Sequence, residues 1–122
     1  RAGQISLHEG FVPNDEGEVF FKAADVLCLP YRNIYQSGLV FLAPRFGLPI
    51  VSTDVGSMRE FVQDRMGIVA RSADVAGIRE ALREFFASRE RFRPEDIRVE
   101  AQKYQWKHIC RDLVPLYSAR AA

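Results

Sequence analysis

"YRNIYQSGLVFLAPRFGLPIVSTDVGS", residues 31–57, decides the fold of this chain. It reads as a loop, a helix, a short apolar strand and a glycine-bearing loop. The helix is predicted from Ser37 to about Phe46, with Pro44 kinking its last turn. "PIVST" is apolar along most of its length, as a strand covered on both faces must be. The polar tripeptide Gln36-Ser37-Gly38 opens the helix. The first amides of a helix lack intrahelical partners and carry the positive end of its dipole, so they can hold a phosphate. Gly38 has no side chain to keep an anion away, and Ser37 can cap the helix or donate to an oxygen. On these residues alone a plain capped helix and an anion site are both open readings.

The same alternation extends in both directions. Upstream, "QISLHEGF" reads as a strand ending near Gly10. "PNDEGEVFFKAAD" reads as a helix capped by Asn14 or Asp15, with acids in its first turn and Val19, Phe20, Ala23 and Ala24 as its inward stripe. "VLCLPY" is another continuous apolar strand. Downstream come a short helix from Ser57 to Val62 and a small strand, "GIVA", from Gly67 to Ala70. Val75, Ile78, Leu82, Phe85 and Phe86 recur at helical spacing and predict a helix from about Asp74 to Ala87. The tail from Pro94 to Ala119 reads as one or two helices, with Pro115 marking a kink or an end. Strand, helix, strand, helix, strand implies a doubly wound α/β fold: a parallel sheet of about four strands with helices on both faces. Such folds bind ligands outside the carboxyl ends of their strands, here the loops 9–14, 31–37 and 53–57.

Composition sets the outer bounds. The 122 residues make one domain at most, 48% apolar, with no run long enough to span a membrane. A net charge of +1 leaves no nucleic-acid footprint. Cys28 and Cys110 lie in apolar surroundings and are expected to be buried thiols, which suits a reducing compartment. The chain begins "RAGQISLHEG" without methionine and is expected to be a piece of a longer protein. No G-x-G-x-x-G or Walker loop is present, which argues against a dinucleotide site or an NTPase. His8 and His108 read as structural. Glu60 is expected to hold the Gly56 turn, Asp25 to cap or anchor its loop, and the alternating charges from Arg89 to Arg98 to be solvated surface.

These residues carry a resemblance. Ala24-Asp25-Val26, Pro30-Tyr31, Gly47-Leu48-Pro49-Ile50-Val51, Gly56-Ser57-Met58-Arg59-Glu60 and Gly67-Ile68-Val69 follow one another as in the donor domain of GT-B glycosyltransferases. More narrowly the run resembles family 4, the "group 1" transferases, and within it a subgroup reading P-Y-R-x-x-x-Q-S-G. The tail "YQWKHICRDLVPLY" is similar to that family's closing helix. The resemblance implies that residues 1–122 are the carboxy-terminal part of a Rossmann-like domain that binds a nucleotide sugar. It places the donor diphosphate at Gln36, Ser37, Gly38 and Leu39, and the base and ribose near Phe11, Val12, Pro13 and Leu42. The sugar would lie near Arg32 and Ile34. Many members carry two glutamates eight apart; counted without gaps, those places hold Ile34 and Leu42, so Gln36 or Arg32 would have to substitute.

The activity implied is glycosyl transfer, retaining, from a nucleotide-diphosphate sugar to a glycan or lipid-linked acceptor, as in polysaccharide biosynthesis. It needs no metal or cofactor, and no Asp-x-Asp or His/Cys cluster is present. The acceptor would be bound by an amino-terminal domain outside this chain. The implied location is cytoplasmic, compatible with peripheral attachment of the full protein to the inner face of a membrane. A degenerate, non-catalytic GT-B-like scaffold is the second reading, because both glutamates are missing. Receiver-like and flavodoxin-like modules lack their acidic cluster and Ser/Thr-rich loop here. In the resembling domain, two strands lie between those expected at "QISLHEG" and "VLCLPY". This chain by itself is therefore expected to lack activity and to self-associate, by edge pairing or by exchange of its first strand and helix.

Overall fold

A computed structural model describes residues 4–63 and 65–120. In chain order the elements are α1 (Asn14–Ala23), β1 (Leu27–Leu29), α2 (Leu39–Leu42), β2 (Ile50–Ser52), α3 (Met58–Phe61), β3 (Gly67–Val69), α4 (Val75–Ala87), α5 (Pro94–Ala101) and α6 (Trp106–Arg120). Short 3-10 turns cover Ala43–Phe46, Arg89–Arg91 and Gln102–Tyr104. The strands form one parallel sheet in the order β1-β2-β3, with Leu27 beside Ile50 and Ile50 beside Gly67.

Successive residues of β2 point to opposite faces, and each face has its own core. Ile50 joins Leu29, Val40, Ala43, Leu48, Met58 and Val62 under α2 and α3. Val51 joins Ala81, Phe85, Phe92 and Ile97 under α4 and α5. That two-sided burial is why "PIVST" is apolar without alternation. The doubly wound α/β architecture with helices on both faces is therefore observed, with three strands in place of about four.

The missing strand is "QISLHEGF": residues 5–9 carry no strand pairing and lie exposed. A strand is stable only against a partner, and β1 is bonded to β2 alone in this sheet. The expected stripe on α1 changes for the same reason. Val19 and Phe20 are exposed, Ala23 and Ala24 are likewise exposed, and the helix packs through Phe21. The Phe21 ring stacks on Phe46 at 5.2 Å, while Phe20 takes the His8 ring edge-on at 5.2 Å. The helix opens after Pro13, with no side-chain cap from Asn14 or Asp15.

Pro44 does more than kink the predicted helix. Only Leu39–Leu42 is α-helical, and Ala43–Phe46 tightens to a 3-10 turn ended by Gly47 in the left-handed conformation, φ 73°. In α4, Ala81 and Phe85 face the core, whereas Val75 and Phe86 are exposed. Asp74 caps this helix, its carboxylate accepting from the Gly77 amide at 2.7 Å. Pro115 lies inside α6 without ending it. Cys28 is half-buried, and burial pushes its thiol up; Cys110 is exposed on α6, contrary to the expectation for it. Asp25 forms an ion pair with Arg89, tying the end of α1 to the turn after α4.

Candidate functional site

The loops that follow β1 and β2 are clasped together at the carboxyl edge of the sheet. Thr53 Oγ1 donates to the Tyr31 carbonyl at 2.6 Å, and the Thr53 amide to the Leu29 carbonyl at 3.2 Å. The Tyr35 carbonyl accepts from both the amide and the hydroxyl of Ser57, at 3.2 and 3.0 Å. Gly56, at φ 55°, brings the second loop against the backbone of the first. This turn is thus held by Ser57 and Tyr35 rather than by the Glu60 carboxylate. Beside it Arg59 donates twice to Asp54, at 2.6 and 2.9 Å, and that bond raises the Arg59 pKa above its ordinary value.

The first loop ends on α2. Ser37 is buried and shares a 3.0 Å hydrogen bond with the Tyr31 hydroxyl. The Ser37 hydroxyl also accepts from the Leu39 amide at 3.3 Å, so that amide is already occupied. The carbonyls of Ser37 and Gly38 start the helix by accepting from Val40, Phe41 and Leu42. Among the described residues, the amides of Ser37 and Gly38 have no acceptor. A side chain at Gly38 would meet nothing within 4 Å, so the approach to these amides is open.

Two grooves flank α2. One, of about 520 Å³, lies between α1 and α2 and is lined by Val12, Pro13, Phe21, Leu39, Leu42 and Phe46. The other, of about 480 Å³, has Gly38, Leu42, Arg45, Tyr104 and Trp106 among its walls. Four of the residues expected at the site therefore meet around one groove: Val12, Pro13, Leu39 and Leu42. Others do not. Phe11 is 88% exposed, Gln36 and Arg32 are exposed away from both grooves, and Ile34 packs against the core. His8 accompanies Ser6 and Phe20, and belongs to no cluster with His108. No three His, Cys, Asp or Glu side chains among the described residues gather as a metal site would require.

Tyr31 and Thr53 are not among the residues the resemblance places at the site, yet their side chains set the loop geometry. A signal for Thr53 was present: a hydroxyl ending a buried apolar strand must find a partner. The Tyr31–Ser37 pairing had none, because six residues of irregular loop give no periodicity to read.

A parallel sheet covered by helices on both faces, with clasped polar loops at its carboxyl edge, defines a doubly wound α/β domain. Residues 5–88 match the family described as glycosyl transferases group 1, and the chain belongs to that family. A relative, D-inositol 3-phosphate glycosyltransferase of Geodermatophilus obscurus, is 34% identical over 103 residues, covering 83% of this chain and 22% of its own length. Among solved structures, sucrose-phosphate synthase from Thermosynechococcus elongatus superposes with a TM-score of 0.76 at 20% identity. That superposition covers 91% of this chain and 29% of the synthase, and shows a shared GT-B, Rossmann-like fold. The chain thus spans under a third of either protein.

Proposed function

We propose that this chain supplies part of the donor site of a glycosyltransferase. The full enzyme would move a hexosyl group, with retention, from a nucleotide-diphosphate sugar to a glycan or lipid-linked acceptor held by another domain. One observation carries the reading: the start of α2 is open at Gly38, with two unpartnered amides, and the next residues of α2, Leu39 and Leu42, wall a groove with Val12 and Pro13. In this reading the diphosphate lies on the amides of Ser37 and Gly38, with Gln36 beside it. The Leu39 amide contributes once Ser37 releases it. The base rests near Phe11, Val12 and Pro13, the ribose against Leu42, and the sugar toward Arg32 and Ile34.

The chemistry follows from charge. As the glycosyl bond breaks, negative charge grows on the leaving diphosphate, and fixed backbone donors stabilise it without reorganising. α2 is a single turn, so these donors act as individual hydrogen bonds more than as a long-helix dipole. The reading calls for no metal or cofactor and places the enzyme in the cytoplasm, at most peripherally on a membrane. The test is calorimetry of the full-length enzyme with uridine and guanosine diphosphates as probes. Gly38→Val is expected to weaken binding at least about tenfold while the fold persists, a loss near the value of one hydrogen bond to a charged group. Unchanged affinity for both probes would remove the assignment.

A non-catalytic scaffold is favoured by one specific feature. The two places where a carboxylate pair would stand hold Ile34, packed on the core, and Leu42, on the groove wall. Released nucleoside diphosphate in a turnover assay of the full enzyme would eliminate this second reading.

A further inference from the structure

The start of α2 holds three hydrogen-bond donors without an acceptor among the described residues. Two are the backbone amides of Ser37 and Gly38. The third emerges from a proton count on Tyr31 and Ser37. Their hydroxyl oxygens lie 3.0 Å apart, and Ser37 Oγ also accepts from the Leu39 amide at 3.3 Å. A hydroxyl donates one proton and accepts two. The pair therefore brings two hydroxyl protons to a single mutual bond, and one proton is left over. Neither oxygen forms a further hydrogen bond among the described residues.

Burial and chemistry decide which oxygen keeps the spare proton. Ser37 is 6% exposed, whereas Tyr31 is half-buried, its ring packed against the core under α2 and α3. The more deeply buried oxygen has the greater need to fill both lone pairs. A phenol is also the stronger donor of the two groups, and an alkyl hydroxyl the stronger acceptor. This assigns Tyr31 as donor to Ser37 Oγ. The Leu39 amide fills the second lone pair, and the Ser37 proton is the one left over. It belongs to the same residue as one unpartnered amide and is next in sequence to the other. Three such protons call for a ligand rich in oxygen and poor in protons, as a diphosphate is.

Tyr31 is fixed at both ends for this task. Thr53 Oγ1 donates to its carbonyl at 2.6 Å, and the core holds its ring. The bond from the Leu39 amide lies beyond the usual range for N–H···O contacts and is the weaker restraint on Ser37. When a diphosphate oxygen draws that amide away, the Tyr31 hydroxyl still occupies Ser37 Oγ. The buried serine oxygen then keeps a donor and its orientation.

We propose that Tyr31 is a positioning residue of the donor site: it turns the Ser37 hydroxyl proton onto the donor diphosphate without touching that ligand itself. The inference rests on the reading of the α2 start as the diphosphate site, and adds a side-chain donor to the backbone ones.

Tyr31→Phe and Ser37→Ala each remove one oxygen and leave the packing in place. Calorimetry of the full-length enzyme with uridine and guanosine diphosphates measures both variants and their combination. Tyr31→Phe is expected to weaken binding about fivefold, as an oriented donor to a charged group is lost. Ser37→Ala should weaken it about as much, the freed Leu39 amide offsetting part of the loss. In the Ser37→Ala background, Tyr31→Phe should change nothing, because its route to the ligand is gone. A loop merely loosened by Tyr31→Phe would lose affinity in both backgrounds. Three results would overturn the inference: unchanged affinity in Tyr31→Phe; an equal loss with and without the Ser37 hydroxyl; or tighter binding by Ser37→Ala, which would make Ser37 a cap that competes with the ligand. If neither probe binds the unaltered enzyme, the donor site falls as well. If Gly38→Val weakens binding and Tyr31→Phe does not, only the role of Tyr31 falls.

Discussion

Gly56 lies directly against the backbone of Ile34: a Cβ on Gly56 would stand 2.1 Å from the Ile34 carbonyl oxygen and 2.6 Å from that of Tyr35. The contact locks the loop after β2 onto the loop after β1, and so fixes where the latter enters α2. Both the close approach and φ 55° require glycine. Gly56→Ala is expected to cost about 2–4 kcal/mol, combining positive-φ strain with displacement of the first loop. Urea denaturation of both proteins checks it; equal midpoints would show that the clasp is not rigid.

Adjacent residues at the end of β2 should respond in opposite directions. Ser52 Oγ is buried with no hydrogen-bond partner among the described residues, whereas Thr53 Oγ1 donates to Tyr31. Ser52→Ala removes an uncompensated hydroxyl and is expected to be neutral or to stabilise by up to about 1 kcal/mol. Thr53→Val leaves the Tyr31 carbonyl without its donor and should cost about 1–2 kcal/mol. Chemical denaturation of the pair gives the signs; a destabilising Ser52→Ala would mean the hydroxyl has a partner after all.

Leu42 is the informative position for nucleotide recognition. It is 36% exposed on the groove wall, so a glutamate there can keep its carboxylate in water. Leu42→Glu is expected to cost no more than about 1 kcal/mol of stability. In the full-length enzyme it should tighten uridine or guanosine diphosphate binding several-fold by engaging the ribose hydroxyls. A stable variant with unmoved affinity would show that Leu42 is not at the ribose.

The cap of α4 sets an acid-side dependence. The Gly77 amide, and then the Ser72 hydroxyl, hold the Asp74 carboxyl below its ordinary value of 3.8. A depressed folded-state pKa stabilises the fold above the unfolded value, and that contribution fades as pH falls through the folded value. Asp74→Ala should therefore lower Tm by about 5 °C at pH 7 and by less at pH 3. Melting curves at the two pH values decide; an equal loss at both would assign the effect to packing instead of charge.

Most element positions were legible because their signals are local. Apolar runs at 26–30 and 49–53 mark strands covered on both faces, and the spacing of Ile78, Leu82 and Phe85 marks α4. The loop cluster at the carboxyl edge followed from that alternation, as did the open glycine at the start of α2.

What the sequence by itself determined was the alternation of elements, the parallel sheet and the family, since periodicity and ordered motifs are properties of neighbouring residues. Only the tertiary structure decided which apolar segments found partners. "QISLHEGF" has the composition of a strand yet pairs with nothing, because a β-ladder needs a second chain segment at its edge. Phe21 rather than Phe20 became the anchor of α1, because Phe46 was the surface on offer. Most of α6 stays exposed among the described residues, because its contacts with the body run chiefly through the turn Gln102–Tyr104.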